Sequence, residues 1–188
     1  IIHLADGLYS AGSNGEAFPI CGVNYVEIRG GHTAGTILDA EYTSSLVDCR
    51  DVRNFSLANM TLQRGEQNFG NGLVIENSSV QFRDVTISAT KADGIYCYRS
   101  VLKMAGVLVT GSANHGLNLG QGSAEIEDSI FESNGKDGIH ADQSVIAAKQ
   151  IDCRKNGSCG IRGERSTRIS IDSGSFVENG NGLVSYDG

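Results

Sequence analysis

One phrase recurs six times in this chain: a turn-type residue, then Gly, then Ile or Leu. It reads Asn71-Gly72-Leu73, Asp93-Gly94-Ile95, His115-Gly116-Leu117, Asp137-Gly138-Ile139, Cys159-Gly160-Ile161 and Asn181-Gly182-Leu183. The glycines fall at 72, 94, 116, 138, 160 and 182, so every interval is 22 residues. A period held without drift is a statement about geometry, because each copy must return to the same place on a coil.

Between the glycines the apolar residues come in pairs with a spacing of two, the period of a strand. The rung after Gly72 carries Leu73 and Ile75, Val80 and Phe82, Val85 and Ile87. The next carries Ile95 and Cys97, Leu102 and Met104, Val107 and Val109. Leu117 to Phe131 and Ile139 to Cys153 repeat the pattern. An earlier rung, Phe55, Leu57, Met60 and Leu62, is offset by 25 residues. The last one, Ile169, Ile171, Gly174 and Phe176, slips by one residue and is corrected before Gly182. A leucine-rich repeat is the rival at this period, and Ala148, Ile151, Cys153 and Asn156 match its skeleton. That repeat also needs apolar spacings of three and four on a helix, and these segments alternate instead. The pattern therefore predicts an all-β, right-handed parallel β-helix with three short strands per rung. About eight rungs stacked at about 4.8 Å give a rod roughly 38 Å long.

The chain reads as one domain over 1–188, with irregular rungs over 1–50 and regular ones over 51–188. In the first part, strands are expected at Ile1–Leu4, around Val26 and Ile28, and from Thr36 to Leu38, with a polar loop from Ser10 to Glu16. The chain opens on a strand and stops inside a repeat, so it reads as a segment of something longer. Asn134, Asn156 and Asn179 each precede Gly at one corner, where Asn bonds along the stack and Gly accommodates a positive φ.

Composition narrows the function classes. The net charge of −7 argues against a nucleic-acid surface. No run approaches the roughly 18 apolar residues of a membrane span. The five cysteines contain no C-x-x-C pair, which removes the usual zinc and thioredoxin-like readings. Cys153 and Cys159 flank one turn where a bridge is open to them, while most of the five read as small interior fillers.

The N-G-x-x-G-I rungs resemble the right-handed parallel β-helix superfamily of pectin lyase type. The stretch from Ile1-Ile2-His3-Leu4-Ala5-Asp6-Gly7-Leu8-Tyr9 to Gly35-Thr36-Ile37-Leu38-Asp39 is similar to the first rungs of secreted bacterial β-helix proteins. The resemblance implies an extracellular or cell-surface location. Its members include polysaccharide lyases, glycoside hydrolases, uronate epimerases, phage tailspikes and non-catalytic surface proteins. Fold and activity are only loosely coupled across such a group.

A β-helix has no built-in cleft, so its sites lie on an outer strand face. The strand after the recurrent Gly presents Tyr96 and Tyr98, Asn118, His140 and Asp142, then Arg162 and Glu164 outward. The corner before it adds Asp93, His115 and Asp137. Aromatic faces stack on sugar rings, and polar groups fix hydroxyls or carboxylates. Asp93, His115, Asp137 and His140 are the candidates for catalysis; Tyr96, Tyr98, Asn118, Asp142, Arg162 and Glu164 are those for substrate binding. Asn114-His115-Gly116-Leu117-Asn118-Leu119-Gly120 and Ala92-Asp93-Gly94-Ile95 are similar to two polygalacturonase motifs, but the paired Asp-Asp of that family has no counterpart. Asp and Asn before Gly are also ordinary turn chemistry, which needs no active site. A calcium ion is the cofactor the family resemblance suggests, near Asp84, Glu125, Glu127 and Asp128. Two functions are therefore expected to compete: a polysaccharide-binding or polysaccharide-processing face, or a structural rod or adhesin module of a larger surface assembly.

Overall fold

The computed structural model describes residues 1–66 and 71–186. Over these the chain is a parallel solenoid. Among the described residues its strands form one eight-stranded and one eleven-stranded sheet. The short-strand sheet runs through Val47–Arg50, Leu73–Glu76, Ile95–Tyr98, Leu117–Gly120, Ile139–Asp142, Cys159–Glu164 and Asn181–Tyr186. Leu73, Ile95, Leu117, Ile139, Ile161 and Leu183 stand in register along it, as the glycine period requires.

The second and third inward pairs of a rung usually share one long strand, such as Ser79–Ser88, Ser123–Glu132 or Val145–Arg154. Each of these strands bends where one residue takes a left-handed conformation: Asp84 at φ 51°, Asp128 at φ 48° and Gln150 at φ 52°. Two further corners turn on single left-handed residues, with Asn77, Arg99, Gln121 and Gln143 in one column and Ala89, Gly111, Ser133, Lys155 and Glu178 in the other. The positive φ therefore falls on the residue before Asn134, Asn156 and Asn179, and not on the glycine after it. Those glycines answer a different demand. A Cβ at Gly135 would stand 2.2 Å from the Ala113 carbonyl oxygen, and one at Gly157 2.2 Å from that of Gly135. Close backbone stacking selects Gly there.

The 25-residue offset of the early rung is present, with Phe55 opposite Val80 and Leu57 opposite Phe82. The late slip is present too, with Ile169 opposite Ile146 and Phe176 opposite Cys153. The interior is one continuous apolar column that includes Phe55, Phe82 and Phe131, all fully buried. The N-terminal stretch differs from expectation in that Gly7–Ser10 is a strand, paired with Thr36–Asp39. The polar loop after Ser10 contains a one-turn helix, Ala11–Asn14, because Ser10 and Ser13 form a reciprocal capping box. Cys49, Cys97, Cys153 and Cys159 are buried and all five cysteines are free, so no bridge joins Cys153 to Cys159. Burial pushes the Cys49, Cys97 and Cys153 thiols up to about 12, which leaves them inert fillers.

Side-chain ladders hold the corners. Asn134 and Asn156 stack so that Asn156 Oδ1 accepts the Asn134 side-chain amide at 3.0 Å and its backbone amide at 3.2 Å. Asn156 Nδ2 donates to the Phe131 carbonyl at 2.9 Å. A second ladder, of Ser78, Ser100 and Ser144, caps amides one rung below in the same way.

Candidate functional site on the short-strand face

The corner before each recurrent Gly carries a third ladder, with varied chemistry. Asn71 Oδ1 accepts the Asp93 amide at 3.1 Å, and Asp93 Oδ1 accepts the His115 amide at 3.1 Å. His115 Nδ1 accepts the Asp137 amide at 3.3 Å, and Asp137 Oδ1 accepts the Cys159 amide at 2.9 Å. Each member thus satisfies a backbone donor 22 residues on. Residues that read as turn chemistry in the sequence are rung-to-rung connectors in the fold.

Asp137 does more than this. Its second oxygen, Oδ2, faces His115 Nδ1 at 3.2 Å, His140 Nδ1 at 3.6 Å and Arg162 Nε at 3.1 Å. The Asp137 side chain is buried, while His115, His140 and Arg162 are partly exposed around it. The two imidazoles lie with ring centroids 4.8 Å apart, tilted by 31°. Burial pushes the Asp137 carboxyl up, but contacts from His115, His140 and the Cys159 amide outweigh it. The net result holds the group well below the usual carboxylate range. Arg162 Nη2 also donates to Ser158 Oγ at 2.9 Å. Together His115, Lys136, Asp137, His140, Ser158, Arg162 and Glu164 line a recess of about 220 Å³.

A second recess, of about 480 Å³, lies beside it on the same face. Tyr96, Asp93 and Asn118 line it with Arg50, Glu76 and Asn114. Asn118 Nδ2 donates to Asp93 Oδ2 at 2.8 Å, so both oxygens of Asp93 are engaged inside the fold. Tyr96, Asn118, His140 and Arg162 follow one another in register, so one strip of side chains runs from the first recess to the second.

The remaining sequence candidates sit in the next outward column. Tyr98 donates its hydroxyl to Gln121 at 3.0 Å and carries the Arg99 guanidinium over its ring. Asp142 is tied to Arg165, whose Nε donates to Oδ1 at 2.6 Å. Of the carboxylates considered for calcium, Glu125 pairs with Lys103 at 2.8 Å and Glu127 with Lys149 at 3.1 Å. Sequence reasoning missed Arg50, Lys136 and Ser158. Arg50 lies outside the six-fold phrase, and Ser158 is drawn in only by the reach of Arg162.

Residues 71–188 match the family described as right handed beta helix region. The chain belongs to this family. No curated protein sequence matches it. Among solved structures, the A-module of mannuronan C-5 epimerase AlgE6 from Azotobacter vinelandii is similar, with a TM-score of 0.76 at 14% identity. That alignment covers 96% of this chain and 57% of the module. The AlgE4 A-module from the same organism aligns with a TM-score of 0.61 at 15% identity, over 95% of this chain and 69% of that one. ORF18 of Geobacillus virus E2 aligns with a TM-score of 0.58 at 10% identity, over 98% of this chain and 53% of that one. The chain thus spans little more than half of the AlgE6 module and of the viral protein. At these identities the likeness is one of fold. Among the described residues no helix is long and apolar enough to cross a membrane.

Proposed function

We propose that this β-helix binds a polysaccharide outside the cytoplasm, along the strip from Tyr96 through Asn118 and His140 to Arg162, and processes it at the Asp137 cluster. The strip itself carries this reading. An aromatic ring, an amide, an imidazole and a guanidinium stand on four consecutive rungs, flanked by two recesses. A sugar polymer laid along the rod meets a ring face first and charged groups last. Lys136 and Arg162 offer cations to a uronate carboxylate at the Asp137 end. The similarity to mannuronan C-5 epimerase modules supports a sugar-acid polymer as the first substrate class to try.

The test is a panel of oligouronides and neutral oligosaccharides, read by NMR line broadening and calorimetry. Binding of a uronide, weakened roughly tenfold by Tyr96→Ala, is the expected result. An unsaturated, ultraviolet-absorbing product would mark a lyase, deuterium uptake from heavy water an epimerase, and new reducing ends a hydrolase. Absence of binding to every glycan would sink the reading. It would leave the second one, a non-catalytic rod module, which the corner ladder favours because it gives Asp93, His115 and Asp137 structural work.

A further inference from the structure

The contacts around Asp137 contain an imbalance that hydrogen bonding alone does not resolve. His115 Nδ1 stands 3.2 Å from Asp137 Oδ2 and accepts the Asp137 amide at 3.3 Å, so its lone pair becomes available to a cation once that long bond is released. His140 Nδ1 is buried and has no hydrogen-bond partner. Asp137 Oδ2 is an acceptor only while the carboxylate is ionised. With both imidazoles neutral and protonated on Nε2, two nitrogens and one carboxylate oxygen converge as electron-pair donors on one small volume. The guanidinium of Arg162 is the cation that meets this concentration of lone pairs, and it approaches Oδ2 alone, at 3.1 Å through Nε.

We propose that His115, Asp137 and His140 form a binding site for a divalent transition-metal ion, with zinc as the best fit, and that Arg162 competes with the metal for Asp137. Zinc bonds to imidazole nitrogen and carboxylate oxygen at about 2.0–2.2 Å, so donor atoms in a tetrahedral site stand about 3.3–3.6 Å apart. Here the separations to Oδ2 are 3.2 Å and 3.6 Å, and all three donor atoms lie within 4.8 Å of one another, so the imidazoles close in on the ion when it binds. The donor set is two nitrogens and one oxygen. It suits zinc, nickel or cobalt, whereas calcium takes six to eight oxygens. Three protein ligands leave a fourth position, and this one opens on the recess lined by Lys136, Ser158, Arg162 and Glu164.

Two features lower the cost of loading. The Asp137 amide bond to His115 is long at 3.3 Å, so giving it up sacrifices a weak interaction. Arg162 has other partners when displaced: Ser158 Oγ at 2.9 Å and Glu164 at 4.0 Å. Asp137 Oδ1 stays on the Cys159 amide throughout, which fixes the carboxylate for either cation. This inference stands on the cluster and needs no sugar ligand, so failure of glycan binding leaves it intact.

The experiment is titration of the purified, metal-stripped protein with zinc by calorimetry and with cobalt by visible absorption. One equivalent is expected to bind, with a cobalt spectrum of nitrogen and oxygen ligation and no thiolate charge-transfer band. His140→Ala is the decisive variant, because His140 is partly exposed and outside the corner ladder. It is expected to weaken zinc binding roughly tenfold or more. His115→Asn keeps a ladder acceptor, as Asn71 shows in the same column, and is expected to weaken binding similarly. Arg162→Gln is expected to tighten binding roughly tenfold by removing the competing charge. Failure of both the wild type and Arg162→Gln to take up zinc would overturn the proposal. So would a His140→Ala protein that binds like the wild type.

Discussion

Asp137 and Cys159 lie one rung apart, and the Asp137 carboxylate accepts the Cys159 backbone amide at 2.9 Å while its other oxygen faces two histidines and an arginine. One oxygen is thus a strut between rungs, and the other is the meeting point of three polar side chains. The two duties can be separated by mutation. Asp137→Asn keeps an acceptor for Cys159 and is expected to cost about 1 kcal/mol. Asp137→Ala orphans that buried amide and is expected to cost about 2–3 kcal/mol. Urea melts of both proteins measure the difference, and equal losses would mean that the ladder bond contributes nothing.

Gly157 sits where the backbones of adjacent rungs nearly touch. A Cβ there would lie 2.2 Å from the Gly135 carbonyl oxygen, and that atom is backbone that cannot step aside without breaking the stack. Gly157→Ala is expected to destabilise the rod by about 3 kcal/mol. The φ at this residue is not in the left-handed region, so the penalty is steric. A thermal melt of Gly157→Ala showing no loss would contradict the stacking account.

Asn156 is 2% exposed and uses both ends of its amide. Replacing it with Ala strands the Phe131 carbonyl and the Asn134 amide, two buried groups with no water to turn to. The expected cost is about 2–4 kcal/mol. Asn156→Asp should also destabilise, since a carboxylate cannot donate to Phe131 or to Asn179. Hydrogen exchange at the Asn134 amide reports the loss directly, and unchanged protection there in Asn156→Ala would refute the assignment.

Asp39 supplies the pH dependence. It is 1% exposed, and Arg64 Nε donates to it at 2.8 Å. Burial raises its carboxyl, but hydrogen bonds from Arg64, Gln63 and the Glu41 amide win and lower it from the ordinary value. A group depressed in the folded state stabilises fully above its unfolded value, near about pH 4. That contribution disappears as pH falls through the folded value. Asp39→Asn should therefore be less stable than wild type at about pH 7, and the gap should narrow towards about pH 2. Denaturation midpoints across that range measure it, and a gap independent of pH would rule the linkage out.

The fold was legible because its cause is local and repeated. A glycine every 22 residues, with apolar pairs at a spacing of two, defines the rung, the register and the inward columns, and even the late slip at Ile169 shows in the spacing. The left-handed corners were not legible, because Asp84, Gln150, Arg99 and Lys155 share no chemistry; each takes its conformation because the rungs above and below require a bend there. The candidate residues of the face could be named from the outward positions, but their grouping could not. Tyr98 and Asp142 look equivalent to Tyr96 and His140 in the sequence, yet they turn to Gln121 and Arg165. His115, Asp137, His140 and Arg162 meet at one carboxylate oxygen because stacking brings residues 22 and 25 apart within a few ångström, and which side-chain atoms then touch depends on rotamers. The sequence by itself determined the coil and its outer face; only the tertiary structure decided that one ladder residue, Asp137, would gather two imidazoles and a guanidinium around it.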